Sequence, residues 1–293
     1  MGGEMTFDLV GALSAAIASE REEWDKNGRI YASDLGTSLE DGPCALAFRQ
    51  KCENAPRAPK LPGQLLMLKV GDLLHGYIQW LLPLALEGSG WEVLEIEDKV
   101  ELFVDDEGIG ARLDILLRDP DGRLVVLDVK TKRGNAFRYL EEPKVGDVLQ
   151  VQSYITGKDA HYGGILYVDR EGQNFMRHFW VDRDDKAVQS AVRTLQAYRD
   201  AEKPPAPVGL RLRVRENKGP DSVYLDIPWQ IEWCDLQTCA CRAALPGSPP
   251  DGIVAKVDEE NGLYSIDFTD IAKGWEAVIF EMLRAEYPSR EWA

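Results

Sequence analysis

The chain has 293 residues, 44% of them hydrophobic and 29% charged, the composition of a folded globular protein and not of a disordered or fibrous one. Its 34 basic and 50 acidic residues give a formal charge of -16, which excludes gripping nucleic acid with the whole surface; any such contact must be local. Five cysteines behind an N-terminus without a basic-then-apolar signal pattern point to a reducing cytoplasm, with thiols or metal ligands ahead of disulfides.

Apolar residues at helical spacing from Phe7 to Trp24 predict a first amphipathic helix, closed by Asn27-Gly28. Between Ser33 and Lys51, Cys44 heads a short helix, and the connector Pro56 to Pro62 leads into the apolar stretch Leu65 to Leu86. Lys69, Asp72, His75 and Pro83 interrupt that stretch, so it reads as a buried helix and not as a membrane span. Strands are predicted at 92–104, 110–118 and 123–131. Asp147 is expected to cap a helix ending near Gly157, before a buried strand from Gly163 to Val168. A strand at 174–181 precedes a polar helix from Asp182 to Ala201, whose stripe is Val188, Val192, Leu195 and Tyr198.

Pro204, Pro205 and Pro207 close this core. Beyond them lie strand-like pieces at 209–215 and 223–228, a cysteine-rich turn at 234–241 and a Pro-Gly-Ser-Pro-Pro loop. A hairpin at Glu260-Asn261-Gly262 and a terminal helix from Ile271 to Glu286 follow. The order predicts an α/β (α+β) fold with a mixed central sheet flanked by helices. Three stretches are expected: an N-terminal helical segment at 1–62, a core at 63–203 and a C-terminal lobe at 204–293.

The most informative segment runs from Ala111 to Thr131. If Pro120-Asp121-Gly122 is a three-residue hairpin loop with Gly122 left-handed, the register sets Asp114 directly opposite Asp128. Residues two apart on a strand share a face, so Asp128 and Lys130 project together, while Val125, Leu127 and Val129 face the other way. Facing carboxylates repel, and burying them costs more, so a hard divalent cation, Mg2+ or Mn2+, is the natural resolution. A solvated polar face on an exposed hairpin explains the same residues equally well.

Asp114 followed by Asp128-Val129-Lys130 resembles the motif pair of the PD-(D/E)XK nucleases. Gln150 and Tyr154, four apart on the next predicted helix, are similar to the Gln-x-x-x-Tyr motif of the RecB-like branch. Gly71-Asp-Leu-Leu-His75 resembles that branch's Gly-x-x-x-His helix, although a lone histidine on an apolar helix is more often a core residue. The series is similar to RecB-like exonucleases, including the CRISPR-associated members and their phage relatives. The resemblance implies a restriction-endonuclease-like core and a metal-dependent DNA exonuclease. It implies metal held by His75, Asp114, Asp128 and the carbonyl of Val129, with Lys130, Gln150 and Tyr154 completing the catalytic set.

In that branch one upstream cysteine joins three downstream cysteines around a [4Fe-4S] cluster, which here implies Cys44, Cys234, Cys239 and Cys241. The Cys-x4-Cys-x-Cys spacing departs from the family pattern and Cys52 competes as the upstream ligand, so tetrahedral zinc and plain buried thiols stay open.

The implied partner is DNA with free ends, together with recombination or CRISPR-associated proteins. Lys132, Arg133 and Arg138 are the candidate DNA contacts; Arg211, Arg213, Arg215 and Lys218 form a second basic run that reads as a solvated face. Two other readings stand beside the exonuclease: a non-catalytic DNA-binding or assembly module, and an endonuclease of the same core.

Overall fold

The computed structural model describes residues 16, 28–57, 60–172, 175–205, 210–216, 221–226, 230, 234, 253–258, 263–266 and 275–286. The chain divides into two compact units, Met1–Asn54 with Ala58–Pro204, and Ala55–Arg57 with Pro205–Ala293. No helix among the described residues is long and apolar enough to cross a membrane. The helix expected from Phe7 to Trp24 lies outside the described residues, Ala16 excepted.

In the first unit a 3-10 helix, Ala32–Ser38, is followed by α1 (Ala45–Cys52), with Cys44 at its N-cap, and by the long α2 (Pro62–Ala85), with proline in its first turn. Five strands then form one sheet: β1 (Glu92–Val104), β2 (Glu107–Arg118), β3 (Leu124–Lys132), β4 (Tyr162–Asp169) and β5 (Met176–Asp182), side by side in chain order. β3 and β4 run parallel and all other neighbours antiparallel, so the sheet is mixed, as expected. A parallel pair needs a crossover, supplied by α3 (Gly134–Arg138) and α4 (Val145–Gly157).

The β2–β3 hairpin has the register the loop length implies: Ile115 pairs with Leu127, and Arg118 with Leu124. Gly122 turns the chain at φ +82°, a left-handed conformation that glycine adopts without steric cost. The buried Asp119 carboxylate fastens the loop, accepting from the amides of Asp121 (3.0 Å) and Arg123 (2.9 Å) and from Tyr162 Oη (3.0 Å).

Alternation splits the hairpin side chains between two cores. Leu116 and Val126 pack with Val151, Tyr154 and Ile155 of α4, whereas Ile115, Leu117, Val125, Leu127 and Val129 pack with Ile78 of α2. A third cluster joins Ile30, Leu35, Phe48 and Cys52 to Val188, Val192 and Leu195 of α5 (Asp185–Asp200). Asp184 caps α5, its carboxylate accepting from the amides of Lys186 and Ala187 at 3.1 Å each.

Two expectations are corrected. The helix over the Leu65 to Leu86 stretch is not buried: along α2 only Ile78 and Gln79 are fully enclosed, while Leu66, Leu73, Tyr77, Trp80 and Leu84 are exposed. Its 24 residues carry apolar side chains around the whole circumference, but only the row including Ile78 and Leu82 packs against the sheet. Asp147 does not cap α4, whose N-cap is Lys144; it sits in the first turn and accepts from Lys132 Nζ (3.1 Å) and Tyr167 Oη (2.8 Å).

The second unit is an antiparallel sheet of β6 (Arg211–Arg215), β7 (Asp221–Asp226), β8 (Ile253–Asp258) and β9 (Leu263–Ile266), in chain order. Val223, Val254, Ala255 and Val257 form a core with Trp275, Ile279 and Leu283 of α6 (Trp275–Glu286). β8 and β9 pair through Asp258 and Leu263; the Glu260-Asn261-Gly262 turn that joins them lies outside the described residues, as do Lys218, Cys239 and Cys241.

α4 can approach the sheet because β4 offers glycine beneath it. A Cβ on Gly163 would stand 2.7 Å from Val151 Cγ1 and 2.8 Å from Val126 Cγ2, closer than such atoms pack. Gly163→Ala should therefore destabilise the protein by about 1–3 kcal/mol in denaturant unfolding, the usual cost of overpacking. Unchanged stability would show that α4 is not held this close.

Candidate active site

β2 and β3 part where their acids meet. The ladder ends at Ile115 and Leu127, and Asp114 and Asp128 are the next residues in register. Instead of pairing through its backbone, Asp114 turns its Oδ2 to accept the Val129 amide at 2.7 Å. His75 of α2 places Nδ1 3.7 Å from the same oxygen.

Asp128 is completely enclosed. Lys130 Nζ stands 2.9 Å from Asp128 Oδ2, at ion-pair distance, yet that oxygen receives no directed hydrogen bond. The ammonium donates instead to Gln150 Oε1 at 2.9 Å, and Gln150 Nε2 donates to Tyr154 Oη at 2.6 Å. Gln150 and Tyr154, one turn apart on α4, thus act in series: the phenol fixes the amide and the amide's oxygen fixes the lysine.

Burial dominates the electrostatics. It pushes the Asp128 carboxyl up to about 7, with Lys130 opposing and Asp114 adding to the shift. Burial likewise lifts Asp114 to about 6, against the pull of the Val129 amide and Lys130. At Lys130 burial works against the charge, but Asp128, Asp147 and Asp114 outweigh it and hold the ammonium's pKa above its ordinary value. Burial lowers the His75 pKa, which favours a neutral imidazole, and raises that of Tyr154, which stays a phenol.

Two acids and a histidine, with an enclosed carboxylate oxygen on Asp128 that takes no directed hydrogen bond, are a donor set suited to a hard divalent ion. Among the described residues no three His, Cys, Asp or Glu side chains already surround one point. A magnesium-like ion does not require that, because it keeps much of its water and takes one or two carboxylates from the protein. The residues present therefore fit such an ion.

The sequence reading missed three neighbours. Glu97 on β1 lies across from Asp114, between the pairs Ile96–Ile115 and Asp98–Leu113, with a left-handed φ of +55° that is costly for glutamate. Its carboxylate is held by Gln79 Nε2 (2.6 Å) and Arg112 Nε (2.9 Å), and its charge raises the pKa of both Asp114 and His75. Gln79 was legible as the residue one turn after His75, on the same helix face. Glu97 had only strand parity to mark it. Asp147, the third, adds negative charge at Lys130 and Asp128.

The three candidate DNA contacts differ. Lys132 is largely buried, tied to Asp147, with its pKa lowered by that burial, whereas Arg133 and Arg138 are exposed and Arg133 lies 3.8 Å from Glu171. Of the cysteines, Cys44, Cys52 and Cys234 are buried. Cys52 packs in the core with Ile30, Leu35 and Phe48, and burial raises its pKa.

No protein-family model matches the chain, and no curated protein matches it. Among solved structures it is similar to SSO0001, at 18% identity and a TM-score of 0.44, over 80% of this chain and 97% of that one. It is also similar to an alkaline exonuclease, LHK-Exo, from Laribacter hongkongensis (15%, 0.42, 64% and 89%). A phage-related exonuclease from Haemophilus somnus 129PT gives 13%, 0.38, 58% and 91%. At TM-scores below 0.5 these likenesses decide nothing about this chain, and its fold rests on the strand order and register above.

The raised Asp114 pKa fixes a sign. Such a group favours folding below its unfolded value of about 4, and that contribution is lost as pH rises through about 6. Asp114→Asn keeps an oxygen for the Val129 amide and removes the charge. Without divalent ions it should be about 1–3 kcal/mol more stable than wild type at about pH 8, and lose this advantage by about pH 4. A pH-independent difference in unfolding free energy would contradict the buried-charge assignment.

Proposed function

We propose that the protein is a metal-dependent DNA exonuclease that hydrolyses phosphodiester bonds. One observation supports the reading above the rest: a buried carboxylate, Asp128, and a half-buried one, Asp114, meet beside a lysine held by Gln150. A binding or assembly module has no use for clustered acids facing a polyanion, since they repel it. One or two Mg2+ or Mn2+ ions would be held by Asp114 and Asp128, with His75 and the carbonyl of Val129 as further ligands. Such an ion supplies an acidified water and polarises the scissile phosphate.

The protein's own groups do the remaining work. Lys130 offsets charge growing on the phosphorane and orients the attacking water. Gln150, fixed by Tyr154, orients Lys130 while its ammonium stays paired with Asp128. Glu97, carried by Gln79 and Arg112, keeps the field at Asp114 negative and thereby favours cation uptake. Arg133 and Arg138, exposed beyond the end of β3, contact the DNA backbone. Recombination, repair or CRISPR-type DNA processing are the settings we propose, in the cytoplasm.

The decisive test is digestion of end-labelled linear and closed circular DNA, single- and double-stranded, with Mn2+. Linear DNA should be degraded and closed circles spared; nicking of closed circles would favour the endonuclease reading. Asp114→Ala, Asp128→Ala and Lys130→Ala should each lose at least ~10²-fold in rate while remaining folded. Activity that survives exhaustive chelation would remove the metal from the proposal.

We also propose that Cys44, Cys234, Cys239 and Cys241 hold a [4Fe-4S] cluster. Protein purified without oxygen should then be brown, and Cys44→Ala or Cys234→Ala colourless and less stable. Cys52→Ala should leave the colour unchanged. Iron-free, stable wild-type protein would end this proposal.

A further inference from the structure

α2 carries a second pattern on the side away from the sheet. Leu66, Val70, Leu73, Tyr77, Trp80 and Leu84 follow one another at alternating steps of four and three, the spacing of a helix-packing seam. Five of the six are 52–74% exposed and Val70 is half-buried. The inner row, including His75, Ile78, Gln79 and Leu82, serves the sheet and the candidate active site, so the outer row has no structural use within the described residues. Contiguous exposed apolar surface of this extent marks an interaction site.

Charge narrows the partner. Between Pro62 and Ala85 the charged residues are Lys69 and Asp72, which cancel. A nucleic acid would find the stacked rings of Tyr77 and Trp80, with centroids 5.9 Å apart, but no net positive charge to hold its backbone. An anionic membrane surface would meet a chain of charge -16 and a helix without the basic flank such binding uses. A neutral apolar helix meets neither obstacle.

The seam is complementary to itself. Turned end for end about a two-fold axis near residue 75, it sets Leu66 of one copy against Leu84 of the other. Val70 then meets Trp80 and Leu73 meets Tyr77, so apolar meets apolar throughout, with small or aliphatic groups beside the rings. The seam spans about 27 Å at 1.5 Å per residue. At roughly 100 Å² from each side chain it buries about 600 Å² per copy, or about 1,200 Å² in all, enough for a specific interface.

We infer that α2 is the dimerisation helix of this protein, pairing antiparallel with α2 of a second copy through this seam. Each α2 then has two duties, an outer face in the dimer and an inner face carrying His75. The dimer places its two candidate active sites on opposite flanks of one helix pair.

Sedimentation velocity of the full chain over a wide concentration range tests this. Wild type should be dimeric, and Leu73→Glu or Trp80→Glu should raise the dissociation constant at least ~30-fold, as loss of an interface hot spot does. Both positions are exposed, so circular dichroism of the separated monomers should match wild type. A Leu73→Cys chain mixed with a Tyr77→Cys chain should form a mixed disulfide under mild oxidation. A Leu66→Cys chain should not cross-link to itself. A monomer at every concentration overturns the inference, and Leu66→Cys self-linkage overturns the antiparallel pairing. If Trp80→Glu leaves the oligomeric state unchanged but weakens binding to single-stranded DNA, the seam is a base-stacking surface and the dimer is excluded.

Discussion

Two carboxylates placed next to one another where a hairpin parts are the constraint on which the rest of the site depends. Asp114 and Asp128 come together because a three-residue loop fixes the register, and Asp128 is buried, with Asp114 half-buried, because their strands lie inside the sheet. An arrangement so unfavourable for two charges persists only with compensation around it. The Val129 amide supplies one part and Lys130 another. Burial still dominates, which leaves both acids with raised pKa values.

The topology brings the compensating groups. A parallel β3–β4 pair requires a crossover, and the crossover helix α4 lies over the face that carries Asp128 and Lys130. Gly163 lets it descend far enough for Gln150 to reach the lysine. Gln150 shares the lysine with Asp128: its Oε1 accepts from Nζ at 2.9 Å, the distance at which Nζ also stands from Asp128 Oδ2, so the ammonium is held between the two. α2 approaches from the other packing cluster and contributes His75 and Gln79 from one face.

Under the proposed function, the acidity of the chain and a polyanionic substrate are reconciled locally. Not every cation near the site is available: Lys132 is committed to Asp147. Exposed Arg133 follows directly on β3, and exposed Arg138 ends α3. The positive charge that meets the scissile phosphate would come mainly from Lys130 and a bound ion, not from the protein's surface at large.

Much of this was legible in the sequence because strand chemistry is local. The alternation of residues 111–131, with the loop Pro120-Asp121-Gly122, determined the register, the pairing of the two acids and the shared face of Asp128 and Lys130; the four-residue spacing determined that Gln150 and Tyr154 act together. Glu97 was not legible, since only the approach of β1 and its left-handed backbone set that side chain beside Asp114. The burial of α2 was misread for a related reason: its residues are apolar around the helix, and hydrophobicity alone does not say which face another element will cover. Local spacing decides which side chains share a face; how far that face is removed from water, and hence how far its charges are shifted, depends on packing partners distant in the chain, and only the tertiary structure supplies those.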